Sequence, residues 1–85
     1  MRKWYAVLRK ELTYNSKLFG SAPVHVGRIY LVSKKDGGVF AVNIHNESDT
    51  WQFSVPEAQD IFTTPTQDID AAHEEAIMIC EAAYC

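Results

Sequence analysis

The hydrophobic pattern of this chain changes period between residues 54 and 66, and that change restricts it to a sheet followed by a helix. Before the change, apolar residues alternate. Trp4, Ala6 and Leu8 interleave with Tyr5, Val7 and Arg9, so Lys3 to Lys10 reads as a first strand. Residues 11–23, with Asn15, Ser16, Gly20, Ser21 and Pro23, read as a long loop partly anchored by Leu12, Tyr14, Leu18 and Phe19. Val24 to Ser33 is a second strand, and Gly27 inside it predicts a bulge or bend. Lys34-Lys35-Asp36-Gly37-Gly38 is a hairpin connection, because Asp-Gly-Gly supplies the positive φ such turns require. Val39 to His45 is a third strand, Asn46 to Asp49 a turn, and Thr50 to Ser54 a fourth strand with Trp51 and Phe53 facing one way.

After the change, the signals are helical. Ser54-Val55-Pro56-Glu57 fits a capping box and predicts one helical turn over Pro56 to Asp60, with Ile61 to Thr63 as a short fifth strand. Thr64-Pro65-Thr66-Gln67 fits a second capping box with proline at the first helical position. The helix is expected from about residue 66 to residue 83, with Ile69, Ala72, Ala76, Ile79, Cys80 and Ala83 on one stripe. Four or five short antiparallel strands tend to curl as they twist. The expected fold is therefore mainly β with one C-terminal α-helix, a small SH3-like curled antiparallel barrel. The alternative is an α+β two-layer sandwich with the helix across an open sheet. The 85 residues allow a single domain, 1–64 forming the β part and 65–85 the helix.

Charge is segregated along the chain. All eight Lys and Arg lie in residues 1–35 (Arg2, Lys3, Arg9, Lys10, Lys17, Arg28, Lys34, Lys35), with Glu11 the one acid there. That half carries a net +7. Residues 36–85 hold ten acids and no Lys or Arg, a net of −10. Five of the acids, Asp68, Asp70, Glu74, Glu75 and Glu81, fall in the expected helix. A face of one sign can steer a basic partner surface into contact. The competing expectation is that the helix docks near the basic strands and the charges cancel, through exposed pairs worth little each.

Catalytic and metal chemistry find little support. His25, His45 and His73 show no paired zinc-ligand spacing with each other or with Cys80 and Cys85. Ser33, Ser48 and Ser54 fall at strand ends or turns, and Gly37-Gly38 leads into a strand where a phosphate loop would need a helix. No cofactor is expected. The longest apolar runs are a few residues, so no transmembrane helix is expected. Met1-Arg2-Lys3 leads into strand-like residues, so no signal peptide is read and a cytoplasmic, reducing location is expected, with Cys80 and Cys85 as thiols.

Several quoted segments carry a resemblance: Trp4-Tyr5-Ala6-Val7, Gly27-Arg28-Ile29-Tyr30-Leu31-Val32, Asp36-Gly37-Gly38, Trp51-Gln52-Phe53, and Pro56 through Phe62. Over residues 3–63 the chain resembles small, often phage-encoded proteins with SH3-like barrels. The C-terminal helix departs from their pattern, and so does Asn46-Glu47-Ser48, where Asp-x-Gly is more usual. Such proteins often serve as host-takeover or anti-defence factors, but the resemblance implies no single activity and transfers no functional residue.

The leading expectation is a non-enzymatic protein-binding module that inhibits or redirects a host protein with a basic surface. Its contact residues are Asp68, Asp70, Glu74, Glu75, Glu81 and Trp51. The alternative is a single-stranded nucleic-acid binder using Arg9, Lys34, Lys35 and Tyr30. The acidic half opposes that partner. The chain is expected to be a monomer or a homodimer, the latter through an open sheet edge or the helix stripe.

Overall fold

The computed structural model describes residues 3–16 and 20–84. Arg2, Lys17, Leu18, Phe19 and Cys85 lie outside the described residues, as does the side chain of Tyr14. The elements are β1 (Trp4–Val7), β2 (Leu12–Ser16), β3 (Gly20–Val24), β4 (Ile29–Lys35), β5 (Gly38–Asn43), β6 (Asn46–Ser54), α1 (Val55–Ile61) and α2 (Ile69–Tyr84). Four strands form one antiparallel sheet in the order β1-β4-β5-β6, and β2 and β3 form a separate two-stranded ribbon. Among the described residues the sheet does not close into a barrel.

The sheet is sandwiched. Register places Ala6 opposite Tyr30 and Val32 opposite Ala41, which sets these side chains on one face. There they form a buried cluster with Leu8, Val24, Ala58 and Phe62, and Leu12, Val39, Trp51, Phe53 and Ile61 pack around it. Val7 and Ile29, also opposite each other, point to the other face. They pack with Ala72 and Ala76 of α2, flanked by Tyr5, Ile44 and Ile79. The three- and four-residue spacing of Ala72, Ala76 and Ile79 is the stripe expected from sequence, and alanine at its centre lets the helix lie close to the sheet. Ile69 and Ala83 fall at the helix ends and remain exposed.

Besides the strand expected over Val24–Ser33, which a turn at Val26-Gly27 divides into the end of β3 and the start of β4, four expectations change. Residues 11–23 are largely a ribbon and not a loop: Leu12 pairs with Val24, and the ladder runs to Ser16 with Gly20. Ser, Gly and Pro mark turns in a sequence, but here Leu12 and Val24 bury the base of the ribbon against the main cluster. Pro23 is tolerated because a ribbon strand has one free edge. The turn expected at Asn46–Asp49 lies earlier, at Ile44-His45, where the Asn43 side chain accepts the His45 N–H at 2.9 Å. The fifth strand over Ile61–Thr63 is a single bridge, Leu8 with Phe62, extended by Arg9 N–H to Ile61 C=O and Thr63 N–H to Val7 C=O.

The fourth change concerns the start of the long helix. Thr64 does not cap it. Tyr5 and Thr66 exchange backbone hydrogen bonds at 2.7 and 2.8 Å, because the outer edge of β1 needs partners. The helix therefore begins after Asp68, whose Oδ1 accepts the N–H groups of Asp70 at 3.0 Å and Ala71 at 3.4 Å. The first capping box holds in position: the Ser54 hydroxyl accepts the Glu57 N–H and donates to Glu57 Oε1. The hairpin between β4 and β5 also holds. Lys35 pairs with Gly38, and Asp36 and Gly37 between them have φ of 52° and 78°.

Asp49 ties the sheet together. Its Oδ2 accepts the Tyr30 hydroxyl at 2.5 Å and Asn43 Nδ2 at 3.0 Å, and its Oδ1 accepts Trp51 Nε1 at 2.6 Å. One carboxylate thus links β4, β5 and β6. Tyr30 is fully buried. Burial raises its hydroxyl well above the usual tyrosine range, and the hydrogen bond to Asp49 raises it further.

Two outcomes follow. Tyr30→Phe is expected to cost about 1.5–3 kcal/mol in urea unfolding, the range for hydrogen bonds to a charged group. An ordinary tyrosine ionises near 10.0. Below that pH the Tyr30 contribution is fully present; above it the unfolded chain gives up a proton that the folded chain retains, so stability falls as pH rises. Tyr30→Phe should flatten that alkaline loss. Gly27, at φ 89°, is a second sensitive point, because a Cβ there would run into Cys80 Sγ on α2. Gly27→Ala is expected to lower stability by about 1–3 kcal/mol from backbone strain alone, read by thermal or urea unfolding.

Candidate functional site

The fold separates the five helix acids by role. Asp68 is occupied as the N-cap of α2. Glu75 is half-buried on the flank of α2 and lines a groove with Trp4 and Pro65. Asp70, Glu74 and Glu81 are exposed at helical spacings that place them opposite the buried stripe of Ala72, Ala76 and Ile79. None of these three has an ion-pair partner among the described residues. Direct cancellation between the two halves of the chain is carried instead by Lys10, whose Nζ lies 2.8 Å from both carboxylate oxygens of Asp60. That pair is exposed, and the Lys10 hydrogen bond and charge hold the Asp60 carboxyl below its ordinary range.

Two apolar residues that the sequence reading did not single out belong to the same helix face. Ile77 is 58% exposed and Met78 67% exposed. They sit between Glu74 and Glu81 in sequence, and the 3.6-residue period puts them off the buried stripe. That displacement was the signal available in the sequence. Exposed single apolar residues are common, but two adjacent ones framed by unpaired carboxylates make an apolar centre with a charged rim.

Beside this face runs an open groove of about 590 Å³ between α2 and the turns that precede β4 and β6. Ile29, Ala76 and Ile77 supply apolar lining, and His45, His73, Cys80 and Glu81 contribute polar groups. The groove brings His45 together with His73 and Cys80 of α2. Among the described residues, no three His, Cys, Asp or Glu side chains are placed to hold a metal ion. Cys80 donates weakly to the Val26 carbonyl at 3.6 Å. His25 Nδ1 lies 3.9 Å from Glu11 Oε2.

Trp51 is not part of the acidic surface. It lies on the sheet face opposite α2, stacked on Phe53 at 5.9 Å and bonded to Asp49. The nucleic-acid set is also divided. Tyr30 is buried, with its ring edge against Phe62 at 5.4 Å, and cannot stack on a base. Arg9 donates to the carbonyls of Gln59 at 3.1 Å and Asp60 at 2.6 Å, where it offsets the negative end of α1. Lys34 and Lys35 are exposed at the β4–β5 hairpin.

Lys34 and Arg9 do share a second groove, of about 1080 Å³, on the α1 side of the sheet. Its apolar lining includes Val32, Val39, Ala58, Phe62 and Trp4, the last 45% exposed. Among the described residues no helix is long and apolar enough to cross a membrane. Comparison with protein-family models, curated proteins and solved structures yields no match to this chain.

Proposed function

We propose that the chain is a non-enzymatic protein-binding module that captures a partner with a basic surface through the solvent face of α2. The observation that carries this reading is the pairing of unneutralised acids with exposed apolar residues on one helix face: Asp70, Glu74 and Glu81 around Ile77 and Met78. The apolar pair supplies area that is removed from water on contact. The carboxylates steer a cationic surface and reject an anionic one. Face-to-face pairing with α2 of a second copy is disfavoured for the same reason.

The reading accommodates the SH3-like resemblance. What supports it is a sheet edge on which residues 61–66 run along β1, followed in order by β4, β5 and β6. A small module of that kind with one charged docking face would act, as an accessory factor does, by occupying the surface of a host protein.

The experiment is quantitative capture with the immobilised chain, followed by titration of the purified partner. Glu74→Lys with Glu81→Lys is expected to weaken binding about tenfold or more, mainly through slower association, with the wild-type interaction falling as salt rises. Ile77→Ala with Met78→Ala is expected to cost about 1–3 kcal/mol through faster dissociation. Lys34→Glu, on the opposite side of the sheet, should leave capture unchanged. Binding indifferent to both α2 double variants removes the proposal.

A further inference from the structure

The cleft between α1 and the sheet differs in lining from the acidic face of α2. Register sets Trp4 opposite Val32 and Lys34 opposite Val39. Strand alternation puts Trp4, Val32 and Lys34 on the sheet face that carries the buried cluster of Ala6 and Phe62. Val55 and Ala58 of α1 and Pro65 beyond it complete the apolar lining. The volume of about 1080 Å³ stands at the upper end of small-molecule clefts, about 300–1,000 Å³.

The interior of this cleft suits a hydrocarbon. Among the described residues, no buried side-chain nitrogen or oxygen lacks a hydrogen-bond partner. Thr63 lines the cleft and is buried, and its hydroxyl already accepts the Val7 N–H at 2.9 Å. An occupant is therefore offered apolar contact and no inward hydrogen bond, and its affinity comes from methylenes removed from water.

The charges of the cleft select a single negative head. Its charged side chains are Arg9, Lys34 and Glu75, a net +1 in a chain whose net charge is −3. Arg9 is engaged with the carbonyls of Gln59 and Asp60. Lys34 is exposed and has no hydrogen-bond or ion-pair partner among the described residues. One free ammonium matches one negative charge; a doubly charged head would meet Glu75 with no second free cation to offset it.

We propose that this cleft binds a free fatty acid, its chain against Trp4, Val32 and Val39 and its carboxylate on the Lys34 ammonium. Asp70, Glu74 and Glu81 do not line the cleft, so this site stands apart from partner capture at α2.

The test is titration of the isotope-labelled chain with decanoate below its micelle concentration, read by amide shifts in NMR. Saturable shifts are expected at Trp4, Val32, Lys34 and Gln59. Lengthening the chain from octanoate to decanoate should tighten binding about fourfold for each methylene that becomes buried. Lys34→Glu is expected to weaken decanoate binding about three- to tenfold, and Glu75→Gln to strengthen it about twofold. Loss of fold cannot produce effects of opposite sign. Decyltrimethylammonium, with the same chain and the opposite charge, should bind the wild-type chain about fivefold or more weakly than decanoate does. No saturable shift with decanoate overturns the proposal. Shifts centred on Ile29, Ile77 and Cys80 in the other groove overturn it too. So does decyltrimethylammonium bound as tightly as decanoate, or a Lys34→Glu chain that binds decanoate like the wild type.

Discussion

β1 and β4 must be covered on both faces, and most of the architecture answers that demand. Ala6, Val7 and Leu8 are buried in succession, as are Ile29 and Tyr30. Successive residues of a strand point to opposite faces, so over these residues neither face is left to water. α1 and the base of the β2–β3 ribbon cover one face; α2 covers the other. The contact with α2 is close because Ala72 and Ala76 present little bulk and Gly27 presents no Cβ to Cys80. The backbone of β1 is satisfied on its outer edge by residues 61–66, and Val7 N–H by the Thr63 hydroxyl at 2.9 Å.

The Asp49 carboxylate performs the complementary task within the sheet. Covering Tyr30 strands a hydroxyl beneath apolar side chains, which would be costly without an acceptor. Asp49 supplies it, and its remaining capacity takes up the side-chain N–H groups of Asn43 and Trp51. The same residues explain the hairpin, since Asn43 donates to Asp49 through its nitrogen while its oxygen holds the turn at His45. Fixing Trp51 in this way keeps it on the core side and away from α2. On α2, charge and exposed apolar area coincide at Ile77 and Met78.

Much of the framework was legible in the residue order. Asp36-Gly37 forms the expected tight hairpin, Ser54 and Glu57 the expected helix start, and Ala72, Ala76 and Ile79 repeat at a period that buries one stripe. The misplacements share one origin: local signals were outweighed by contacts distant in sequence. Thr64-Pro65-Thr66 has the composition of a helix start, but Thr66 is held by Tyr5. Asn46-Glu47-Ser48 has the composition of a turn, but Asp49 must reach Tyr30, which draws the segment into β6. Of the candidate site residues, Asp70, Glu74 and Glu81 were recognisable from spacing. The burial of Tyr30, the bond of Trp51 to Asp49 on the face away from α2, and the engagement of Arg9 with the α1 carbonyls were set by contacts that residue spacing does not carry.

The amino-acid order alone determined the two helices, the β4–β5 hairpin geometry and the segregation of charge, because these follow from local backbone preference, hydrophobic period and residue identity. Only the tertiary structure decided which carboxylates face water, which aromatic rings are enclosed and which strand is left with an open edge. Those outcomes depend on which surfaces are covered when the elements pack, and burial is a property of the assembled chain that no local pattern carries.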